Sequence, residues 1–538
     1  LPSDGPILRA VPPSLSEAKT RLAAWARRPF SAEHGPWTIA ALGLVVGLAL
    51  RVWSIRQARF CGEELWFWDT ARAIATGKEL PVLGAPISGS AARLPGSAYF
   101  FFLGLTQLPG PSPLRTYAVV SLGGLALLVP LSLAVARAFD RATGLAFFLL
   151  GALSPWWVVY TNSSWPGYFF PSLCALVLIG LPAFADRPRP VSQAAMTFLL
   201  VVGFQMHLSL THYWLLVLVT AAIWRPRLSR GLLVGAALGA LCYVPYLVHE
   251  LQTGFANTLA IAHRSQGGPR SPFVLQGLLL YYLGFTTTDL SYLWHQGFWH
   301  PFDLAKFWRG SGFVETREFF DRNRLPAVAW AALVASWLLT VAAWLGFLPV
   351  VARRLRAGRA DAGNVLVVAF VTAVAGIPLF YLLSGKGGYP HYVSSVLPLA
   401  FLPPAWLLGR AFRHRRARWL AGAYVVLFAA GGVLGMRGYY EFDSRWSIPQ
   451  TEAAVAFTLE RTRDPDGHQR PFDLELGFAP NWAVDYELVA RHVFKSPFPL
   501  AAGAPDVVRI DARSPAHDER PDADTLVLDT IVVRHRRR

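Results

Sequence analysis

Segments of about twenty apolar residues recur along most of this chain, and that repetition constrains its fold more than any single motif. A span of roughly 20 apolar residues crosses the hydrocarbon core of a bilayer as a helix. The runs are continuous rather than alternating, which excludes a transmembrane β-barrel. The composition agrees: of 538 residues 54% are hydrophobic and 15% charged. A soluble domain carries roughly 25% charge. The expected fold class is an all-α polytopic membrane protein with about eleven transmembrane helices.

The formal net charge of +17 does not point to nucleic acid. The arginines gather in short loops between apolar runs, as at Arg137-Ala138-Phe139-Asp140-Arg141, Arg353-Arg354-Leu355-Arg356 and Arg413-His414-Arg415-Arg416. The positive-inside rule predicts that placement for cytoplasmic loops. With Lys19, Arg21, Arg27 and Arg28 ahead of the first span, the N-terminal tail, residues 1–36, is expected in the cytoplasm. The spans are read at 37–55, 115–137, 143–160, 168–185, 192–224 (two short spans turning near His207 to Thr211), 231–249, 326–352, 364–384, 391–410 and 418–436. Segment 97–108 is too short to cross and reads as re-entrant or interfacial. Outer loops fall at 56–114 and 250–324, so the spanning domain covers 37–436. Cys61, Cys174 and Cys242 give no disulfide framework or metal spacing. No removable signal peptide is expected, because the first apolar run begins near Trp37 and lacks a small-residue cleavage site.

Residues 437–538 are polar. Helical spacing over Gln450 to Glu460, with strand-like stretches at 472–476 and 525–533, predicts a small extracytoplasmic C-terminal α/β domain ending in a basic tail, Arg534 to Arg538.

Against this background an acidic pair, Glu63-Glu64, stands just past the first span. Carboxylates are costly near membrane depth, so a pair at the mouth of a bundle asks for a reason. It opens a stretch with Trp66, Phe67 and Trp68, suited to a helix lying at the membrane surface. Consecutive helix positions lie about 100° apart, so the two carboxylates cannot enter one cavity alike. One can act as a general base while the other anchors the backbone or pairs with a cation. A solvated loop opening an interfacial helix is the plainer reading.

Lys386, set among glycines in Ser384-Gly385-Lys386-Gly387-Gly388-Tyr389-Pro390-His391, falls on the outer side, where positive charge is not expected. With His391 it can hold a phosphate, the alternative being a flexible turn with a snorkelling lysine. Weaker candidates are Arg93, in the loop shared with the acidic pair, His207, which interrupts an apolar run, the His249-Glu250 pair at a span end, and Asp289 after three threonines. Asp289 can join Glu63 at a divalent cation only if distant loops converge.

The acidic pair followed by Ala71-Arg72 resembles the acidic "Asp-Glu … Ala-Arg" signature of GT-C glycosyltransferases, which include protein O-mannosyltransferases and bacterial aminoarabinose transferases. Ser154-Pro155-Trp156-Trp157-Val158-Val159-Tyr160 running to Trp165 and Pro171, Gln205-Met206-His207-Leu208-Ser209, Tyr243-Val244-Pro245-Tyr246-Leu247 with Glu250, and His391-Tyr392 ahead of Pro398 resemble further segments of that family in the same order. The resemblance covers roughly residues 38–436. It implies an inverting sugar transferase in the bacterial cytoplasmic membrane, using a polyprenyl-phosphate donor on the outer face. Glu63 would be the base, and Lys386, His391, Tyr392 and Arg93 would lie at substrate or phosphate. Glu replaces the usual Asp, and His391 stands where Arg is common, which shifts phosphate binding toward Lys386. The acceptor is open: protein, lipid A or a cell-wall polymer. A flippase, an O-antigen ligase or polymerase, and a non-catalytic assembly factor are the rival readings. A flippase needs polar residues spread through the midplane, whereas here they gather at one outer face.

Overall fold

A computed structural model describes residues 35–60, 62–87, 91–186, 189–264, 273–291, 311–358, 360–384, 390–443, 447–476, 483–492, 496–512, 523–528 and 531–537. Among the described residues seven helices are long and apolar enough to cross a membrane: Pro36–Gln57, Pro113–Ala138, Pro166–Ala185, Ala327–Ala357, Ala362–Ser384, Ser394–Arg413 and Ala417–Glu441. Their outward faces carry leucine and valine, with Leu42 61%, Val45 63%, Leu345 63% and Val426 70% exposed. Such surfaces are stable against lipid rather than water, and the chain is a multi-pass membrane protein.

Two expected spans are broken, and a third run turns where two short spans are expected, each at a residue with a local reason. Segment 143–160 divides at Ser154, which leaves the helical region with ψ 124° and accepts the Trp157 N–H at 3.1 Å ahead of Pro155. Serine followed by proline is a helix start signal. The result is a shorter apolar helix, Arg141–Leu153, and a one-turn helix, Pro155–Val159. The 192–224 run turns at His207, as its polar interruption suggests, into Pro190–Met206 and Thr211–Trp224. The 231–249 run bends by 47° between Arg230–Leu241 and Val244–Gln252, where Pro245 cannot extend the preceding helix's hydrogen bonds. Ala98–Gln107 is ten residues long, in keeping with a segment that does not cross.

Small residues bring helices close. A Cβ on Gly235 would lie 2.2 Å from the Ala194 carbonyl oxygen, so helices 190–206 and 230–241 touch backbone to backbone, as membrane helices do at small side chains.

The helix ends sort into two groups. At one end Arg354 donates to Asp361 at 3.1 Å and to the Ala138 carbonyl at 3.3 Å, Arg413 lies 3.4 Å from Asp140, and Trp224 donates to Gly358 O at 3.3 Å. The other end holds residues 57–75, 159–170, 207–212 and 390–395, joined by contacts described below.

Residues 447–537 contribute helix Ile448–Arg461, helix Ala483–His492 and a four-stranded sheet ordered β1-β2-β4-β3. These are β1 Phe472–Leu476, β2 Asp506–Ala512, β3 Thr525–Val527 and β4 Ile531–Arg537, with β1 parallel to β2 and the other pairs antiparallel. The strand expected at 525–533 is thus two strands of a hairpin, with Val527 opposite Val532. The basic C-terminus is no loose tail: within β4, Arg534 donates to Asp511 at 2.8 Å and Arg536 to Glu475 at 3.2 Å. The preceding helix runs to Asp443, past the expected end at 436. Ile448, Val455, Phe472 and Val508 share one apolar cluster with Ile55, Phe60, Leu65, Trp68 and Tyr117. The sheet unit therefore packs against the back of the acidic-pair helix.

Candidate active site

Glu63 and Glu64 open helix Glu63–Ala75. Gly62, at φ 58°, turns the chain from the first span into this helix and accepts the Trp66 N–H at 3.2 Å. A side chain is disfavoured at that φ, which explains the glycine. Two carboxylates in a first helical turn sit favourably at the positive end of the helix dipole.

The two then diverge, as their 100° separation requires. Glu64 turns inward and is 2% exposed, with Oε1 accepting from Arg59 Nη2 at 3.0 Å. Arg59 is fixed in turn: Tyr117 OH donates to its carbonyl at 2.6 Å, and its backbone bridges to Ser447 of the sheet unit. Burial pushes the Glu64 carboxyl above its usual range, opposed by the Arg59 guanidinium. Glu63 points outward and is exposed, and its Oε2 accepts from Trp165 Nε1 at 2.7 Å.

Trp165 leads to the remaining candidates. Its ring centroid lies 5.7 Å from His207 and 6.5 Å from Tyr168, and the His207 ring lies 5.7 Å from Tyr392. Tyr392 stacks on Tyr381 with centroids 6.1 Å apart and planes 3° apart. Ser209 N–H donates to His207 Nδ1 at 3.1 Å, which fixes the ring at the helix break. Glu63 and His207, separate in sequence, thus meet at one indole, and Tyr392 lies beyond His207.

Arg93 joins the same end by another route. Its guanidinium lies 5.4 Å from the Trp66 ring centroid, and its Nε donates to Gly84 O at 3.1 Å. Asn257 brackets its backbone, accepting from N–H at 2.7 Å and donating to C=O at 3.0 Å. Gln205, two residues before His207, accepts the Ala98 N–H at 3.1 Å and ties this strap to the site. Arg72, the far end of the acidic motif, pairs with Asp69 at 2.9 Å.

Asp289 has partners of its own. It accepts from Ser291 N–H at 3.1 Å and from Trp337 Nε1 at 3.5 Å, against the 327–357 helix. Glu250 accepts the Thr258 N–H at 2.8 Å and closes a local turn. Among the described residues no group of three or more His, Cys, Asp or Glu is placed to hold a metal ion. Lys386 lies outside the described residues, and His391 falls on helix Pro390–Val393, beside Tyr392.

Two partners of the acidic pair are absent from the sequence-based candidates. Arg59, five residues before Glu64, carried the signal of a basic residue next to an acidic pair. Trp165 lies 102 residues from Glu63, and nothing in its tryptophan-rich surroundings marked it as the one that would meet a carboxylate.

The site therefore presents an exposed carboxylate at the rim of an aromatic wall. The carboxylate can accept a proton, and aromatic faces can pack against a sugar ring.

The sequence matches no protein-family model and no curated protein. The structure is similar to ArnT from Cupriavidus metallidurans, bound to undecaprenyl phosphate (TM-score 0.50, 14% identity) and in its apo state (TM-score 0.51, 13% identity). Both alignments cover 94% of this chain and 98% of the other. The archaeal oligosaccharyltransferase AglB from Archaeoglobus fulgidus, in complex with an inhibitory peptide and a dolichol-phosphate, aligns at TM-score 0.40 and 11% identity, over 86% of this chain and 64% of its own. The chain has the fold of ArnT.

Proposed function

We propose that this protein is an inverting glycosyltransferase that moves a sugar from a polyprenyl-phosphate donor to an acceptor on the outer face of the cytoplasmic membrane. The observation that carries the reading is Glu63: an exposed carboxylate in the first loop of an ArnT-like fold, held at Oε2 by Trp165. The undecaprenyl phosphate bound to ArnT supports a donor of that type.

In this reading Glu63 takes the proton of the acceptor hydroxyl or amine as its heteroatom attacks the anomeric carbon. The bond from that carbon to the phosphate oxygen breaks, and the electron pair leaves with the polyprenyl phosphate. Cationic groups near the departing phosphate stabilise its charge. Arg93, Lys386 and His391 are proposed for that role. Glu64 is assigned to structure through Arg59. Asp289 and Glu63 keep separate partners, so no shared cation site is proposed for them. The arginine-lined helix ends are assigned to the cytoplasm by the positive-inside rule, which puts Glu63 and residues 437–538 outside.

The test is sugar transfer from radiolabelled polyprenyl-phosphate donors extracted from the native membrane. Wild type should transfer label, and Glu63→Gln should lose about 10³-fold in rate, the range of a general base. Undiminished transfer by Glu63→Gln sinks the assignment. Label crossing the bilayer without transfer to an acceptor would support a flippase instead.

A further inference from the structure

Trp165 does more than line the site. Its indole is 7% exposed, yet its N–H reaches out of the packing to the exposed carboxylate of Glu63 at 2.7 Å. The ring is trapped on several sides. His207 and Tyr168 flank it, and the Trp165 N–H of the backbone donates to Ser163 Oγ at 3.2 Å. On a further side lies Gly167, where a Cβ would fall 2.1 Å from Trp165 Cζ3 and 2.6 Å from Cε3. Real Cβ atoms do not approach so closely, so the indole can occupy this place only because residue 167 is glycine. The atoms that a Cβ would meet are those of the indole itself, so a side chain at 167 would displace the ring.

Resting on the reading of Glu63 as the base, we propose that Gly167 and Trp165 form a positioning device for it. Gly167 makes room for the indole, the indole N–H takes Oε2, and Oε1 is left as the proton-accepting oxygen. Glu63 is exposed and has one rotatable bond that Asp lacks. An unheld glutamate would sample several rotamers, and a misplaced reacting group costs rate steeply. The indole is a neutral donor, so it orients the carboxylate through one hydrogen bond and not through an ion pair. Glu64, paired with Arg59, has the ionic partner instead. Trp165 is thus a positioning residue, acting on the acceptor only through Glu63.

The full-length protein in detergent or nanodiscs, assayed with the radiolabelled polyprenyl-phosphate pool from native membranes, tests this. Trp165→Phe keeps the ring and removes the donor; Gly167→Ala leaves both partners and displaces the ring. Both should lower kcat by roughly 10-fold, within the cost of losing orientation, with little change in donor KM. A purely structural role would lower the number of donor-binding sites and leave turnover per site at the wild-type value. Wild-type turnover per donor-binding site in a folded Trp165→Phe or Gly167→Ala protein overturns the positioning role. Glu63→Gln separates the two claims: full turnover in it defeats the base assignment itself, whereas its inactivity beside a wild-type Trp165→Phe defeats only the inference.

Discussion

At the arginine-rich end of the bundle, Asp140 lies 3.4 Å from Arg413 and accepts the Thr143 N–H at 2.9 Å, while Asp361 pairs with Arg354 at 3.1 Å and accepts the Asn364 N–H at 2.9 Å. Both carboxylates cap helices and meet a cation. At the opposite end, Glu64 has the same kind of partner in Arg59, but its neighbour Glu63 meets a neutral indole N–H and otherwise faces outward. A carboxylate satisfied by a cation and a backbone N–H is committed to structure. One held by a neutral donor keeps the capacity to take a proton. The contrast recurs within one turn of one helix, so it comes from placement and not from residue type.

The largest effect on stability should come from removing the structural partner at the Glu63 end. Arg59→Ala leaves the Glu64 carboxylate 2% exposed and without its cation. Breaking a buried pair in this way costs about 3–5 kcal/mol, and the 26% exposure of Arg59 places this case near the lower figure. A marked drop in melting temperature of the purified protein is the expected result, and an unchanged one would show the pair to be dispensable.

At the other end Asp361→Ala removes a helix cap and a surface ion pair. The expected loss is about 1 kcal/mol for the cap, the exposed pair adding little. Transfer should be unchanged, because the residue lies at the end of the bundle away from Glu63. A loss of turnover without a loss of stability would break the division between the two ends.

The smallest expected effect is a pH dependence. Burial raises the folded-state pKa of Glu64 above its ordinary value of 4.5, so the folded protein holds that proton more tightly than the unfolded chain. Its contribution to stability is complete below the ordinary value and is lost as pH rises through the raised one. Glu64→Gln removes this dependence. The melting temperature of the variant relative to wild type should therefore rise with pH across that window, and parallel curves would contradict the assignment.

Much of this arrangement is legible in the sequence for physical reasons. Apolar length and arginine placement announce the bundle and its two unlike ends. The 100° step between neighbours on a helix announces that Glu63 and Glu64 must part. Breaks inside spans were harder to read. His207 announced its turn as a polar residue in an apolar run, but the bend at Cys242–Tyr243 and the break at Ser154 depend on local capping that an apolar average hides. The hairpin at 525–537 looked like one strand because its connecting residues are few. Asp289 looked available because its partner, Trp337, lies 48 residues away. Trp165 was unreadable as the partner of Glu63 for the same reason: contacts across 102 residues follow from tertiary packing, which no local pattern encodes.

The most direct measurement sets the two neighbouring glutamates side by side. Glu63→Gln and Glu64→Gln, purified and assayed well below their melting temperatures, are compared for transfer of labelled sugar from the polyprenyl-phosphate pool and for retention of that donor. The account predicts that Glu63→Gln retains donor and loses transfer by about 10³-fold, while Glu64→Gln keeps most of its transfer. Equal losses in both, or the loss falling on Glu64→Gln alone, would contradict the division of labour between them.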